Sequence, residues 1–467
     1  MAVSKPDPDR LINASFGSAK RPASTIVNLA GWGRQTTVTA PAYRPETIAD
    51  VSRILSGTGA VIPRGLGRSY GDASLNTSGV VLTERLNRML SFEPETGLLR
   101  CESGVSLHDV LATFMRRGWF VPVSPGTRHV SVGGAIASDV HGKNHHRDGS
   151  IGRWVRSVAV ATPREGIVEC SPTLRPDLFW ATLGGMGLTG IILEVELQLI
   201  PIETAWIRQL TLKTHDLGET MDALESREAE FKYSVAWVDS RARQRHLGRG
   251  ILMFGDHATA QEVTASHKAR WLASEFRPLV TVPATAPSWL LNPLSTRGFN
   301  AAYYGLARGG DHLVRYHEFF YPLDAVGFWN RLYGRQGLVQ YQCVFPAESS
   351  REGVRKVLAA CEAAGHGTLL TVLKRFGSGR GMLSFPIEGY TLAVDMAMRS
   401  DLPALLRWLD DIVVDLGGRV YLAKDAFLGQ SAFRAMYPRW EEWMAIRDRI
   451  DPMRTLRSRM SARLGLD

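Results

Sequence analysis

A chain of 467 residues with 45% hydrophobic content is long enough for two or three packed domains around a sizeable core, and its composition is that of an ordinary globular protein. Its formal charge of +9 is dominated by scattered arginines rather than a basic tail or stripe, which argues against nucleic acid and for an anionic small molecule or membrane surface as the partner. Cys101, Cys170, Cys343 and Cys361 are too widely spaced for a zinc knuckle or a redox pair and too few for a disulfide framework, so they read as reduced core residues of a cytosolic chain.

Residues 1–30 alternate polar and small side chains around Pro6, Pro8 and Pro22, without the apolar run of a signal peptide, and are expected to form a flexible segment. The most apolar stretch, Leu188 to Ile202, is broken by Glu194 and Glu196. No transmembrane helix is therefore expected, and a location in the cytoplasm or at the periphery of the inner membrane follows. Residues 47–57 read as a helix feeding a strand at Ala60 to Ile62, which ends at the glycine-rich turn Pro63-Arg64-Gly65-Leu66-Gly67-Arg68-Ser69-Tyr70-Gly71-Asp72. Met89 to Glu93 and Leu98 to Glu102 bracket Pro94-Glu95-Thr96-Gly97 as a hairpin. Ser106 with Asp109 three residues on predicts a capped helix that Gly118 closes.

The most informative segment follows. Residues 125–150 hold five glycines, four histidines and Lys143 with no hydrophobic periodicity. Glycines at that density let backbone N–H groups approach a ligand, so the segment reads as a wall around a phosphorylated planar cofactor. Beyond it come a hairpin (Val155 to Ala161 and Ile167 to Cys170), a helix near Asp177 to Leu183, a strand from Gly190 to Ile200, and a domain boundary at Pro201. The middle third reads as a separate α+β lobe, up to a strand at Arg419 to Ala423 opened by Gly417-Gly418. Trp440, Trp443, Ile446 and Ile450 have helical spacing and are expected to pack back on the first lobe. Between Pro278 and His312, Trp289-Leu290-Leu291, Phe299 and Tyr303-Tyr304 make a run that is long and apolar for a loop, suited either to a polyprenyl tail or membrane or to a cover over the pocket. The spacing Gly65-x-Gly67-x-x-x-Gly71 does not fit a Rossmann site, and no spacing converges His129, His141, His145 and His146 on a metal. His145 and His146 read as structural histidines bonded to backbone.

The two glycine segments together resemble the FAD signature of the vanillyl-alcohol-oxidase/p-cresol-methylhydroxylase superfamily. His141-Gly-Lys-Asn-His-His146, Gly187-Leu-Thr-Gly-Ile-Ile192, Gln340-Tyr-Gln342, Tyr421-Leu-Ala-Lys-Asp425 and Asp451-Pro-Met-Arg454 are similar, more narrowly, to the decaprenylphosphoryl-β-D-ribose 2′-oxidase family, the flavin subunits of an epimerase that makes the arabinan precursor of a cell envelope polysaccharide. The likeness runs from about Trp32 to the C-terminus.

The resemblance implies a two-lobed α+β FAD-binding fold, with an FAD domain from 31–201 and 417–467 and a substrate domain, 202–416, inserted between them. It implies that Arg64 to Asp72 hold the FAD pyrophosphate, and that Gly126, Ser131, Val132, Gly133, Gly134, Ser138, His141, Ile192 and Tyr421 line the rest. Arg68 stands where related sugar oxidases carry a flavin-linked histidine, so non-covalent FAD is expected. Lys424, Tyr70, Gln342 and His141 would surround the reacting carbinol. Lys143, Lys374, Arg331 and Trp237 would bind substrate, with Thr391 and Ala393 standing where the family has an asparagine and a cysteine. Taken alone, a lysine after a strand, as Lys424 is, reads as a solvated surface residue. The implied activity is oxidation of the 2′-hydroxyl of a polyprenyl-phospho-ribose, completed by an NAD(P)H-dependent short-chain reductase, with peripheral membrane contact. The alternatives are a soluble sugar, alditol or aldonolactone oxidase using oxygen, and a non-catalytic FAD-binding protein.

Overall fold

The computed structural model describes residues 22–263, 272, 278–287, 289–366 and 368–467. Its first layer is a four-stranded sheet in the order Thr25–Ala30, Thr37–Tyr43, Val80–Leu82, Ile62–Arg64, antiparallel at the first pair and parallel at the other two. Part of the segment expected to be flexible is therefore a strand. Thr25–Ala30 is rich in β-branched residues and pairs along its whole length with Thr37–Tyr43; residues 1–21 lie outside the described set. The helix Ile48–Gly57 starts at a capping box of Thr47 and Asp50.

A second, antiparallel sheet of five strands runs Met89–Glu93, Leu98–Glu102, Ile191–Gln198, Val155–Thr162, Gly166–Cys170. Its hairpins fall where turn residues predict them. Leu107–Phe114 carries the expected Ser106–Asp109 capping box, and Gly118 ends the following turn in the left-handed conformation. The helix Trp440–Ile450 returns to this half of the molecule, where the buried Trp443 indole donates to the carbonyl of Ala181 at 2.9 Å. Val61 N–H donates to Thr455 O, and Arg457 N–H to Val61 O, so the chain end is stitched to the first sheet.

The rest is an eight-stranded antiparallel sheet in the order Gly310–Arg315, Trp206–Thr214, Gly250–His257, Tyr233–Val238, Thr371–Phe376, Gly389–Ala397, Leu338–Pro346, Arg419–Val420. Side chains alternate across its strands. Leu373, Leu392, Val394 and Cys343 are buried on one face, against which Ser350–Ala363 and Leu402–Asp415 pack. The other face carries Trp237, Val372, Lys374, Gln340, Gln342 and Ala393 toward the cavity described below.

Two expectations change here. The last strand stops at Val420 rather than Ala423, because Lys424 N–H and Asp425 N–H both turn back to Tyr421 O. The apolar run after Pro278 is only partly a loop, as at Trp289-Leu290-Leu291. Val280–Thr281 pairs with Val326–Gly327, and Pro293–Leu306 is a helix capped by Asn292 with Pro293 in its first turn. All four cysteines are free and buried. No helix among the described residues is long and apolar enough to cross a membrane.

Candidate active site

A cavity of about 560 Å³ lies between the glycine-rich half and the inner face of the eight-stranded sheet. Along the first glycine turn the backbone N–H groups of Leu66, Gly67, Arg68 and Ser69 donate to no protein acceptor among the described residues. Four unpaired N–H groups on a cavity wall need an acceptor, and pyrophosphate oxygens supply one. Close approach requires the glycines. A Cβ on Gly65 would stand 2.0 Å from Ser131 Oγ, and Gly67 has φ +64°. Gly126, Ser131, Gly133, Gly134, Ser138, Ile192 and Tyr421 line the same cavity, with Tyr421 OH donating to Ser138 O at 2.8 Å. The residues present therefore fit FAD. Arg68 lies over the Trp32 ring at 4.1 Å and donates through Nε to His129 O at 3.0 Å.

Three members of the expected cofactor set do not face the cavity. Val132 is a core residue. Gly71 packs on the backbone of Asp425, and Asp72 pairs with Arg463 at 2.7 Å, so the end of the turn serves the junction with the C-terminal return.

The end of the cavity against the eight-stranded sheet is built from strand alternation. Ala393 is the cross-strand partner of both Gln342 and Val372, and Lys374 is opposite Thr391. Lys374 Nζ donates to His141 Nδ1 at 3.2 Å, and His141 Nε2 faces the Gln342 amide at 2.9 Å, which in turn donates to Thr391 Oγ1 at 3.1 Å. Burial first, then the Lys374 charge, holds His141 well below the ordinary histidine range, so its imidazole is neutral. Lys143 donates to Phe319 O with its ammonium 4.3 Å from the Phe319 ring centroid. From the turn after the last strand, Lys424 Nζ reaches over the Tyr70 ring at 3.8 Å.

Lys143, Lys374 and Lys424 thus line one end of the cavity, and among the described residues none has a carboxylate within ion-pair reach. Burial pushes Lys143 down to about 7 and Lys374 down to about 8. Burial likewise lowers Lys424, while the charge of Asp395 opposes the shift. Three desolvated amines, of which only Lys424 feels a nearby carboxylate, that of Asp395, suit an anion in the cavity.

Sequence reasoning missed Asp395. It is fully buried, its Oδ1 accepts from the Gln340 amide, its Oδ2 has no partner, and burial raises its pKa. The signal was present, because Asp395 lies two residues beyond Ala393 on the same strand and so on the same face. Trp32, Trp329 and Asp324, also unforeseen, line the cavity together with His129 of the 125–150 wall, with Trp329 6.0 Å from Trp32 and 6.5 Å from Tyr70 between ring centroids.

Two substrate candidates are placed elsewhere. Arg331 turns away, donating to Val282 O at 3.0 Å and Pro283 O at 2.9 Å, and clasps the segment at the cavity mouth. Thr391 lies behind Gln342 and donates to Cys343 O at 2.8 Å, so it supports the wall rather than forming it. Trp237 does line the cavity, its indole tied to Leu369 O at 3.0 Å. His145 Nδ1 accepts from Gly377 N–H at 3.2 Å, and His146 contacts Phe231 O at 3.4 Å.

The family model for an FAD binding domain matches residues 40–171, and that for D-arabinono-1,4-lactone oxidase matches residues 390–464. Across 95% of its length the chain is 38% identical to the decaprenylphosphoryl-beta-D-ribose oxidase of Mycolicibacterium smegmatis, covering 98% of that protein. It is 33% identical over 372 residues to an uncharacterized protein of Streptomyces coelicolor, spanning 78% of this chain and all of that one. The L-gulonolactone oxidase of Bos taurus is more distant, 22% identical over 88% of this chain and 91% of its own.

Proposed function

Because the chain belongs to the decaprenylphosphoryl-β-D-ribose oxidase family of FAD-dependent oxidoreductases, we propose that it oxidises the 2′-hydroxyl of a polyprenyl-phospho-ribose to the ketone, the first half of epimerisation to an arabinose donor. The reading rests above all on Lys374 and Lys143, buried in the cavity with no carboxylate within ion-pair reach among the described residues, since a phosphodiester needs fixed cations and a free sugar or lactone does not. FAD, held by the Leu66–Ser69 N–H groups and the 126–142 wall, would supply hydride acceptance. The chain's own residues manage position and one proton. Lys374 and Lys143 take the phosphate, Gln342 and His141 orient the ribose, and Trp237 walls its far side. Lys424, neutral in part because it is buried, accepts the hydroxyl proton as the carbinol C–H leaves as hydride. Asp395, beside Lys424, retains that proton near the site.

On this reading residues 31–201 and 417–467 form the FAD-binding domain and 202–416 the substrate domain. A short-chain reductase receives the ketone, and the enzyme works against a membrane that holds the lipid. Incubation with free sugars, alditols and aldonolactones, with peroxide recorded, separates this function from an oxygen-using sugar oxidase: no peroxide above background is expected, and rapid turnover of any of them would favour the alternative.

Two further outcomes follow. With Arg68 in the turn, acid precipitation is expected to leave a colourless pellet and a yellow supernatant; flavin retained in the pellet would reveal a covalent link through another residue. Ala393 lines the cavity while Cys343 Sγ points to the opposite face, against Leu392 O. A nitroaromatic reduced in the site therefore finds no thiol. No mass increase is expected on the wild-type protein, whereas Ala393→Cys should gain one adduct, located by peptide mass spectrometry, and keep its oxidase activity.

A further inference from the structure

The helix Pro293–Leu306 is amphipathic in the inverted sense. Its inward stripe is polar: Asn300 donates to Asp239 Oδ1 at 2.9 Å and to Thr368 O at 3.0 Å, and Tyr304 OH donates to Thr214 O at 3.1 Å. Its outward face carries Leu294 and Leu306, 79% and 80% exposed, with the Phe299 and Tyr303 rings stacked at 5.9 Å and 7°. A surface helix ordinarily buries its apolar stripe, so this one leaves an apolar ridge in need of cover. The ridge is continuous with the active site, because Tyr303 meets Trp237 edge-on at 4.8 Å and both line the cavity.

The charge of the ridge segment itself has one sign. From Pro278 to Gly310 the chain has Arg297 and Arg308 and no Asp or Glu. Lys213 and Arg249 each lie 4.5 Å from the Tyr304 ring centroid at the base of the helix, Arg249 being paired with Asp239 at 2.7 Å. Arg241 is 95% buried, and its Nε and Nη1 have no hydrogen-bond partner. Burial and the neighbouring Arg297 charge lower its pKa, a shift that the charges of Glu362 and Asp239 oppose.

We propose that this face docks on an anionic lipid bilayer, the ridge entering the interface and the exposed Arg297 and Arg308 meeting lipid phosphates. The cavity would then open toward the acyl region along Trp237, Tyr303 and Phe299. That exit for a tail rests on the polyprenyl-phosphate reading above; the docking does not. A second copy of the chain fits the face less well, since a two-fold contact would set like arginines against each other.

The test is flotation of the FAD-loaded enzyme with phosphatidylcholine vesicles, with and without phosphatidylglycerol. Binding is expected to the phosphatidylglycerol vesicles and to weaken with salt. Leu294→Ser/Leu306→Ser should bind about ten-fold more weakly or worse, and Arg297→Gln should flatten the salt dependence. Both variants should keep the wild-type flavin spectrum and bleach normally with detergent-dispersed polyprenyl-phospho-ribose. A failure of bleaching in the wild type would count against the proposed function and leave flotation to be read on its own. The docking is overturned if the wild type does not float with phosphatidylglycerol vesicles, or if the double variant floats equally well. It is also overturned if the wild type is a dimer that the double variant dissociates and neither binds lipid, which would assign the face to a second copy.

Discussion

Lys424→Ala is expected to bind FAD with an unchanged spectrum and to be reduced by substrate about 10²–10⁴-fold more slowly than wild type, the range for loss of a positioned acid or base. The side chain reaches the cavity from a turn whose backbone is fixed by Tyr421 O, so truncation removes the amine without moving the wall. Stopped-flow bleaching under anaerobic conditions reads the effect; wild-type rates in the variant would remove Lys424 from the mechanism. The pH profile adds a sign. Burial lowers Lys424 from the ordinary lysine range, and only the neutral amine accepts a proton, so wild-type reduction should accelerate as pH rises through the depressed pKa. Asp395 raises that pKa by its charge, so Asp395→Asn should move the inflection to lower pH; an upward or absent shift would show that the two groups are uncoupled.

Arg463→Ala should cost about 3–5 kcal/mol of stability, the loss associated with removing one partner of a buried charge pair. Arg463 bridges Asp72 at 2.7 Å and Asp425 at 2.8 Å, both carboxylates being nearly buried, and donates to Leu428 O at 2.6 Å. Without it two buried acids face each other at the junction of the glycine turn and the C-terminal return. Because that junction holds the turn, FAD retention should fall in parallel. Urea titration followed by far-UV circular dichroism and by flavin release measures both, and a midpoint near that of the wild type would mean that the junction is held by packing alone.

What the sequence made legible was local. The turns at Pro94-Glu95-Thr96-Gly97 and Gly118, the capping box at Ser106, and the glycines of residues 63–72 and 125–150 each specify their conformation within a few residues. Lys424, Gln342, Lys374 and Lys143 were legible only through the family likeness, since nothing near them in the chain says that a lysine points inward. Directions were the weak point. Arg331 carries the right charge but spends it on Val282 and Pro283, and Thr391 shares a strand face with Ala393 yet ends behind Gln342. Trp329, from the middle of the chain, meets Trp32 near its start, and Asp324 reaches Arg128 N–H from 196 residues away; such contacts leave no local pattern to read. The helix Pro293–Leu306 was hidden because its apolar residues face solvent, which defeats any reading that assigns periodic apolar positions to the core.

The most direct measurement is anaerobic titration of the purified yellow protein with synthetic polyprenyl-phospho-β-D-ribose, monitored by flavin absorbance, with the product reduced by borodeuteride and analysed. Stoichiometric bleaching is expected with this compound and not with ribose or with gulono- or arabinonolactones, and deuterium is expected at the 2′ carbon. Bleaching by the lactones with none by the phospholipid sugar would contradict the proposed function.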